Sequence, residues 1–349
     1  MEQRGSDLHL KVGAPPHVRI DGHLTPTPFE AVTARDAERT AFAIMPKARA
    51  DEFQINSEAD FAHSVPGLGR FRVNVFRQRG SVGIVFRRVL PGTPSFESLG
   101  LPSVVRRLAE EPRGMVLVTG PTGSGKTTTI AAMIDHINET RGVNIVTIED
   151  PIEVLHTDKR AIVNQREIGT DTVDYAQAMK RVLRQDPDVI FIGEMRDPET
   201  VWAALSAAET GHLVLSTLHT TNATETVNRI VDFFPPFQQK QVRLTLASSL
   251  QGVVSQRLLE RADGKGRVPA VECMVMTGRV FDRIVEPEKG ESIEEVIADG
   301  EYYGMQTFDQ SLFALYKNGL VGLRDAMAAA SHPHDFRIAL QQAGLDATI

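Results

Sequence analysis

The sequence carries a single cysteine, Cys273, in 349 residues. That excludes an intrachain disulfide and any zinc module built from several cysteines. Between Val271 and Val275 the lone thiol reads as a small core residue rather than a nucleophile. No run of about 18 apolar residues occurs, so no membrane-spanning helix is expected. The opening residues MEQRGSDLHLKV are too polar for a secretory leader. The chain is therefore expected in the cytoplasm. Positive charge is not in excess either. With 38 Lys and Arg against 45 Asp and Glu the net charge is −7. A nucleic-acid partner is not expected, because such binders carry a basic footprint. There is no internal repeat and no low-complexity tract.

What remains is an ordinary globular composition, 42% apolar and 24% charged, over a length that suggests about two domains. Up to residue 90, alternating stretches occur at His17 to Ile20, Phe71 to Phe76 and Val82 to Val89. Turn signals at Asp21-Gly22, Pro66-Gly67 and Arg79-Gly80 separate them. A helical stretch over 34–45 lies between the first two. This predicts a small α+β domain over 1–90. Pro91-Gly92-Thr93-Pro94 opens a linker over 91–102. The rest, 103–349, begins with four nearly continuous apolar strands, Met115 to Thr119, Val143 to Ile148, Val189 to Ile192 and Leu213 to Leu218. Helical segments such as Thr127 to Glu139 and Tyr175 to Gln185 alternate with them. Strands of that kind belong to a parallel α/β sheet covered on both faces. Beyond about Thr224 the spacing reads as mainly helical, with a break at Phe233-Phe234-Pro235-Pro236.

Gly120-Pro121-Thr122-Gly123-Ser124-Gly125-Lys126-Thr127 fits G-x-x-x-x-G-K-[ST], the Walker A pattern, and Thr128 follows it. Glycines let backbone N–H groups converge on phosphate oxygens, and the next helix offers its positive end to the same anion. Lys126 supplies a point charge to the β/γ-phosphates, and the Thr127 hydroxyl suits Mg²⁺. A strand before the loop and a helix after it are the context this motif requires. ATP and Mg²⁺ are the expected ligands.

Hydrolysis needs an activated water and stabilised charge as well. Strand 189–192 runs into Gly193-Glu194, which places Glu194 to hold Mg²⁺ through water or to polarise the attacking water. Strand 143–148 ends in Glu149-Asp150-Pro151-Ile152-Glu153, a dense acidic turn. His212 and His219 bracket strand 213–218 and are candidate phosphate sensors.

These residues resemble the secretion ATPase superfamily and, within it, the type IV pilus retraction ATPases of the PilT kind. The resemblance covers nearly the whole chain. It starts at Ser6-Asp-Leu-His-Leu-Lys-Val-Gly-Ala-Pro-Pro and Arg19-Ile-Asp-Gly, so most of the family's short leading helix is expected to be missing. It continues through Arg70-Phe-Arg-Val-Asn-Val-Phe-Arg-Gln-Arg-Gly80. After the P-loop come an Asp box at Ile148–Glu153, a Walker B region at Leu183–Thr200 and a His box at Ala208–Thr220. It implies an N-terminal PAS-like α+β domain followed by a RecA-like P-loop ATPase domain with C-terminal helices. It also implies Glu194 as the catalytic Walker B acid, Glu153 as a second acid, and His212 and His219 as the His-box pair. Arg72 and Arg79 match arginines that reach the γ-phosphate, with Arg184 a third candidate. A homo-hexamer is implied, working on an inner-membrane pilus platform protein, with other pilus motor subunits as further partners. Its place is the cytoplasm, peripheral at the inner face of the cytoplasmic membrane. The expected output is pilus retraction and twitching motility. An accessory or regulatory pilus ATPase and a motor of a related type II/IV secretion system are the alternatives. One stretch departs from the pattern: Val280-Phe-Asp-Arg-Ile-Val-Glu-Pro287 stands where retraction ATPases carry Ala-Ile-Arg-Asn-Leu-Ile-Arg-Glu.

Overall fold

The computed structural model describes residues 5–20, 23–89 and 92–347. The expected turn at Asp21-Gly22 and the start of the linker at Pro91 lie outside the described residues. The chain divides into two compact units, 1–92 with 151–156, and 93–150 with 157–349.

The first unit is an antiparallel sheet with two helices. Its elements are β1 (Asp7–Lys11), β2 (His17–Ile20), β3 (His23–Pro26), α1 (Ala34–Ile44), α2 (Lys47–Asn56), β4 (Glu58–Val65), β5 (Gly69–Gln78) and β6 (Ser81–Val89). The sheet runs β3-β2-β1-β6-β5-β4. Thr33 caps α1 by accepting from the Asp36 N–H at 3.1 Å. Ala37 and Ala41 then bury against Val73, Val75 and Ile84, with Phe53 of α2 completing the core. β4 was not foreseen. Its alternation of exposed Glu58 and Asp60 with buried Ala59 and Phe61 is short and begins on a charged residue.

The second unit contains α3 (Phe96–Leu99), α4 (Ser103–Ala109), β7 (Gly114–Thr119), α5 (Lys126–Thr140), β8 (Asn144–Glu149), β9 (Ile162–Glu167), α6 (Tyr175–Val182), β10 (Val189–Ile192), α7 (Pro198–Glu209), β11 (Leu213–Leu218), α8 (Ala223–Asp232) and α9 (Pro236–Ser249). It goes on with β12 (Leu250–Glu260), β13 (Arg267–Val275), α10 (Gly278–Val285), α11 (Ile293–Ala298), α12 (Phe308–Lys317), α13 (Leu323–Ala329) and α14 (Pro333–Gln342). Seven strands form one sheet in the order β13-β12-β7-β11-β10-β8-β9. All neighbours are parallel except the β12–β13 pair. Met115 and Leu117 of β7 point into one core and Val116 and Val118 into another. A strand buried on both faces shows no polar alternation, which is why these segments read as continuous apolar runs.

The helical reading beyond Thr224 is corrected between 250 and 275. There the chain forms a β-hairpin, β12 and β13, in the same sheet. The hairpin turn carries Gly264 and Gly266 at positive φ (68° and 89°), which side chains rarely adopt. β12 is buried along most of its length and so hides its period of two. The predicted helix over 175–185 ends earlier, at Val182, and finishes in a 3₁₀ turn. Cys273 sits fully buried on β13, where burial pushes its thiol pKa up.

Candidate functional site

In a parallel sheet the ligand edge is the C-terminal ends of the strands. β7 delivers the P-loop there. Three loop glycines have positive φ: Gly120 at 142°, Gly123 at 80° and Gly125 at 93°. At Gly120 a side chain is excluded twice over, since a Cβ would stand 2.4 Å from the Gln256 carbonyl oxygen. The loop is thus pressed onto β12, and the Thr119 and Ser255 hydroxyls join the same two strands at 2.8 Å. Lys126 is 8% exposed; its ammonium donates to the carbonyls of Gly120 (2.8 Å) and Pro121 (3.0 Å). Thr127 and Thr128 lie in the first turn of α5, half-buried. Ser124 Oγ is buried without a hydrogen-bond partner. An orphaned hydroxyl, a buried ammonium and a helix N-terminus at one loop fit a phosphate-class anion.

Two strands along, β10 ends in Gly193-Glu194. Ser216 Oγ donates to the Ile192 carbonyl at 2.8 Å, and Thr217 Oγ1 to that of Gly193 at 2.6 Å. These bonds fix the strand end on β11. Space is tight at Gly193, where a Cβ would meet the Tyr175 hydroxyl at 2.9 Å and the Ile148 carbonyl oxygen at 3.3 Å. Glu194 then pairs with Arg196 at 2.7 Å, and His219 Nε2 stands 3.6 Å from its other oxygen. The carboxylate partner raises the Arg196 pKa, and burial, aided by Asp150, raises that of Tyr175. At the end of β8, Glu149 is buried and accepts from Thr147 Oγ1 (2.6 Å) and Gln165 Nε2 (3.1 Å). Arg196 and Tyr175 do not stand out in the sequence as site residues, and Glu149 does so only as part of the acidic turn after strand 143–148. Arg196 was within reach, two residues after Glu194 in the same motif.

Glu194 and His219 are therefore together at the P-loop edge of the sheet. His212 is not. It precedes β11, seven residues of extended chain from His219, or roughly 23 Å at ~3.3 Å per residue. There its backbone carbonyl accepts from Gly114, at the start of β7, and its ring Nδ1 lies 3.0 Å from the Ala207 carbonyl. Within one chain His212 closes the α7–β11 turn, because residues flanking a strand on either side reach opposite edges of the sheet. Arg184 likewise sits in the turn that leads into β10, at the edge away from the P-loop. Arg72 on β5, Arg79 and Glu153 belong to the first unit. Arg79 holds a positive φ of 51° in the β5–β6 turn, uncommon for a residue with a side chain.

Residues 3–303 match the family described as "Type II/IV secretion system protein". The chain belongs to this family, as a PilT-like ATPase. It is 44% identical to the type IV pilus retraction ATPase PilT of Pseudomonas aeruginosa over 96% of this chain and 97% of that protein. Identity to the type IV pilus ATPase PilU of the same organism is 40%, over 98% and 89%. A solved structure of the pilus retraction motor PilT with bound ADP superposes with a TM-score of 0.88 at 48% identity, over 96% and 95% of the two chains. As a member of this group the chain binds nucleotide. No helix among the described residues is long and apolar enough to cross a membrane.

Proposed function

We propose that this ATPase is the motor of type IV pilus retraction and so of twitching motility. The observation that carries the catalytic reading is Glu194, held at 2.7 Å by Arg196 with His219 3.6 Å away, at the strand end beside the P-loop strand pair. In this reading Gly120 to Thr128 cradle the ATP phosphates and Lys126 leaves its loop carbonyls for the β/γ-phosphates. Mg²⁺ prefers phosphate and water oxygens plus one or two protein ligands. Thr127 directly and Glu194 through water fit that need. Bound there, the ion would neutralise charge on the transferring phosphoryl group. Glu194 takes the proton of the attacking water, with His219 next to its carboxylate. Glu153 is a second acid for water or metal, and Arg72 and Arg79 stabilise γ-phosphate charge. His212 and Arg184, at the other sheet edge, serve a neighbouring subunit in a homo-hexameric ring. We take 1–90 and 103–349, joined by 91–102, as the moving domains. The ring works in the cytoplasm against an inner-membrane pilus platform protein.

Purified chain should release phosphate from ATP, and Lys126→Ala or Glu194→Gln should each reduce this by 100-fold or more. Unchanged turnover in either variant overturns the site assignment. Deleting the gene should leave excess pili without surface motility; absent pili would instead indicate an assembly motor. The likeness to PilU favours one second reading, an accessory pilus ATPase. A deletion that abolishes motility only when a second pilus ATPase is also impaired would support that reading.

A further inference from the structure

The helices of the first unit bury one face of its sheet, with Val75 and Ile84 in the core. Side chains of the other parity stand in rows across the opposite face. The strand register aligns Lys11, Gly83 and Phe76 in one row, and His17, His9 and Val85 in the next. Gly83 has no side chain where one would collide. A Cβ there would lie 2.8 Å from Cζ of Phe76, so the phenyl ring lies across the glycine. Beside it opens a cavity of about 680 Å³, within the size range of small-molecule sites.

Its charge is one-sided. His9, Lys11, His17 and Arg79 line it, and no acidic residue does among the described residues. The neighbouring acid, Asp7, is engaged by Arg87 at 2.8 Å. His9 Nε2 is buried without a hydrogen-bond partner, and His17 Nδ1 is held 2.7 Å from the Pro15 carbonyl. An aromatic ring with Lys11 and Arg79 beside it selects a planar body that carries negative charge. Leu24 adds apolar wall.

We propose that this cavity binds a mononucleotide-class ligand, a planar base bearing a phosphate, independently of the P-loop. The base stacks on Phe76. The phosphate takes the side where Lys11 supplies the positive charge and the buried His9 Nε2 an uncommitted ring nitrogen. A monophosphate lacks the β- and γ-phosphates that Lys126 serves, so the two sites differ in chemistry.

The test uses AMP, titrated calorimetrically into the full-length chain. AMP binding should persist in Lys126→Ala. Phe76→Leu and Lys11→Glu should each weaken it tenfold or more. Lys11 is exposed, so that variant keeps the fold even if Phe76→Leu does not. AMP binding lost in Lys126→Ala but retained in Lys11→Glu would place the ligand at the P-loop and overturn the proposal. No AMP binding up to millimolar concentration would also overturn it. Inorganic phosphate binding as tightly as AMP would remove the role given to the planar base.

Discussion

Replacing Glu272 by glutamine removes a buried acid while keeping its shape. Glu272 lies on β13, 4% exposed, beside a polar cavity of about 420 Å³ that Arg257, Glu294 and His332 also line. Its Oε1 accepts from the Ala223 N–H at 2.7 Å, the first residue of α8. Burial pushes its pKa up to about 7 from the ordinary 4.5. Glu294 and Asp309 add to the rise, while the Ala223 N–H and Arg257 oppose it. The folded state thus holds the proton more tightly than the unfolded chain. The stability this gives is complete below about pH 4.5 and is lost as pH rises through about 7. At ~1.4 kcal/mol per pH unit the loss above pH 8 is about 3 kcal/mol. Glu272→Gln has no proton to lose and retains an acceptor for Ala223. It should match the unaltered protein near pH 5 and exceed it at pH 8.5. For a unit of this size 1 kcal/mol moves Tm by about 2 °C or more, so the gain should be roughly 6 °C. Thermal unfolding of both proteins at the two pH values measures it. An equal difference at both values, or a lower Tm for the variant at pH 8.5, would refute the argument.

Five further outcomes follow from the site and its surroundings. Gly120→Ala should abolish nucleotide binding in a direct titration, since its Cβ would meet a backbone oxygen at 2.4 Å. Arg196→Ala frees Glu194 from its 2.7 Å partner; kcat should fall about tenfold or more with KM for ATP little changed, and a pure KM effect would contradict a role through Glu194. His212→Ala should leave the nucleotide affinity of the isolated chain unchanged and cost about 1 kcal/mol of stability, from the lost bond to Ala207. On α10, Ile284→Ala should cost about 2–5 kcal/mol, because Ile284 is fully buried. Arg279→Ala, which breaks exposed ion pairs with Glu291 and Asp299, should leave the melting temperature nearly unchanged, because solvent screens such pairs.

What the sequence could reveal depended on whether a residue's role was local. The P-loop was legible because its glycines, lysine and flanking strand and helix are contiguous, and the geometry they need is set within the loop. The central strands were legible because burial on both faces leaves an apolar run between turns. The hairpin of β12 and β13 was not, since its apolar spacing is the same in a helix and only its pairing with β7 decides the matter. Long-range pairing also explains the histidines. His212 and His219 look equivalent on paper, bracketing one strand, but a strand carries its two ends to opposite edges of the sheet. Only His219 shares an edge with Glu194. The same rule sorts the acids after β8: Glu149 ends the strand and is held by Thr147 and Gln165, whereas Glu153 lies four residues on, in the loop that belongs to the first unit. At Val280 to Pro287 the rule runs the other way. The residues kept apolar there, Val280 and Ile284, are the buried ones on α10, so the helix survives a change of its polar identities. Of the polar positions, Asp282 and Glu286 are exposed and Arg283 is half-buried, so none of them belongs to the apolar contact that holds α10.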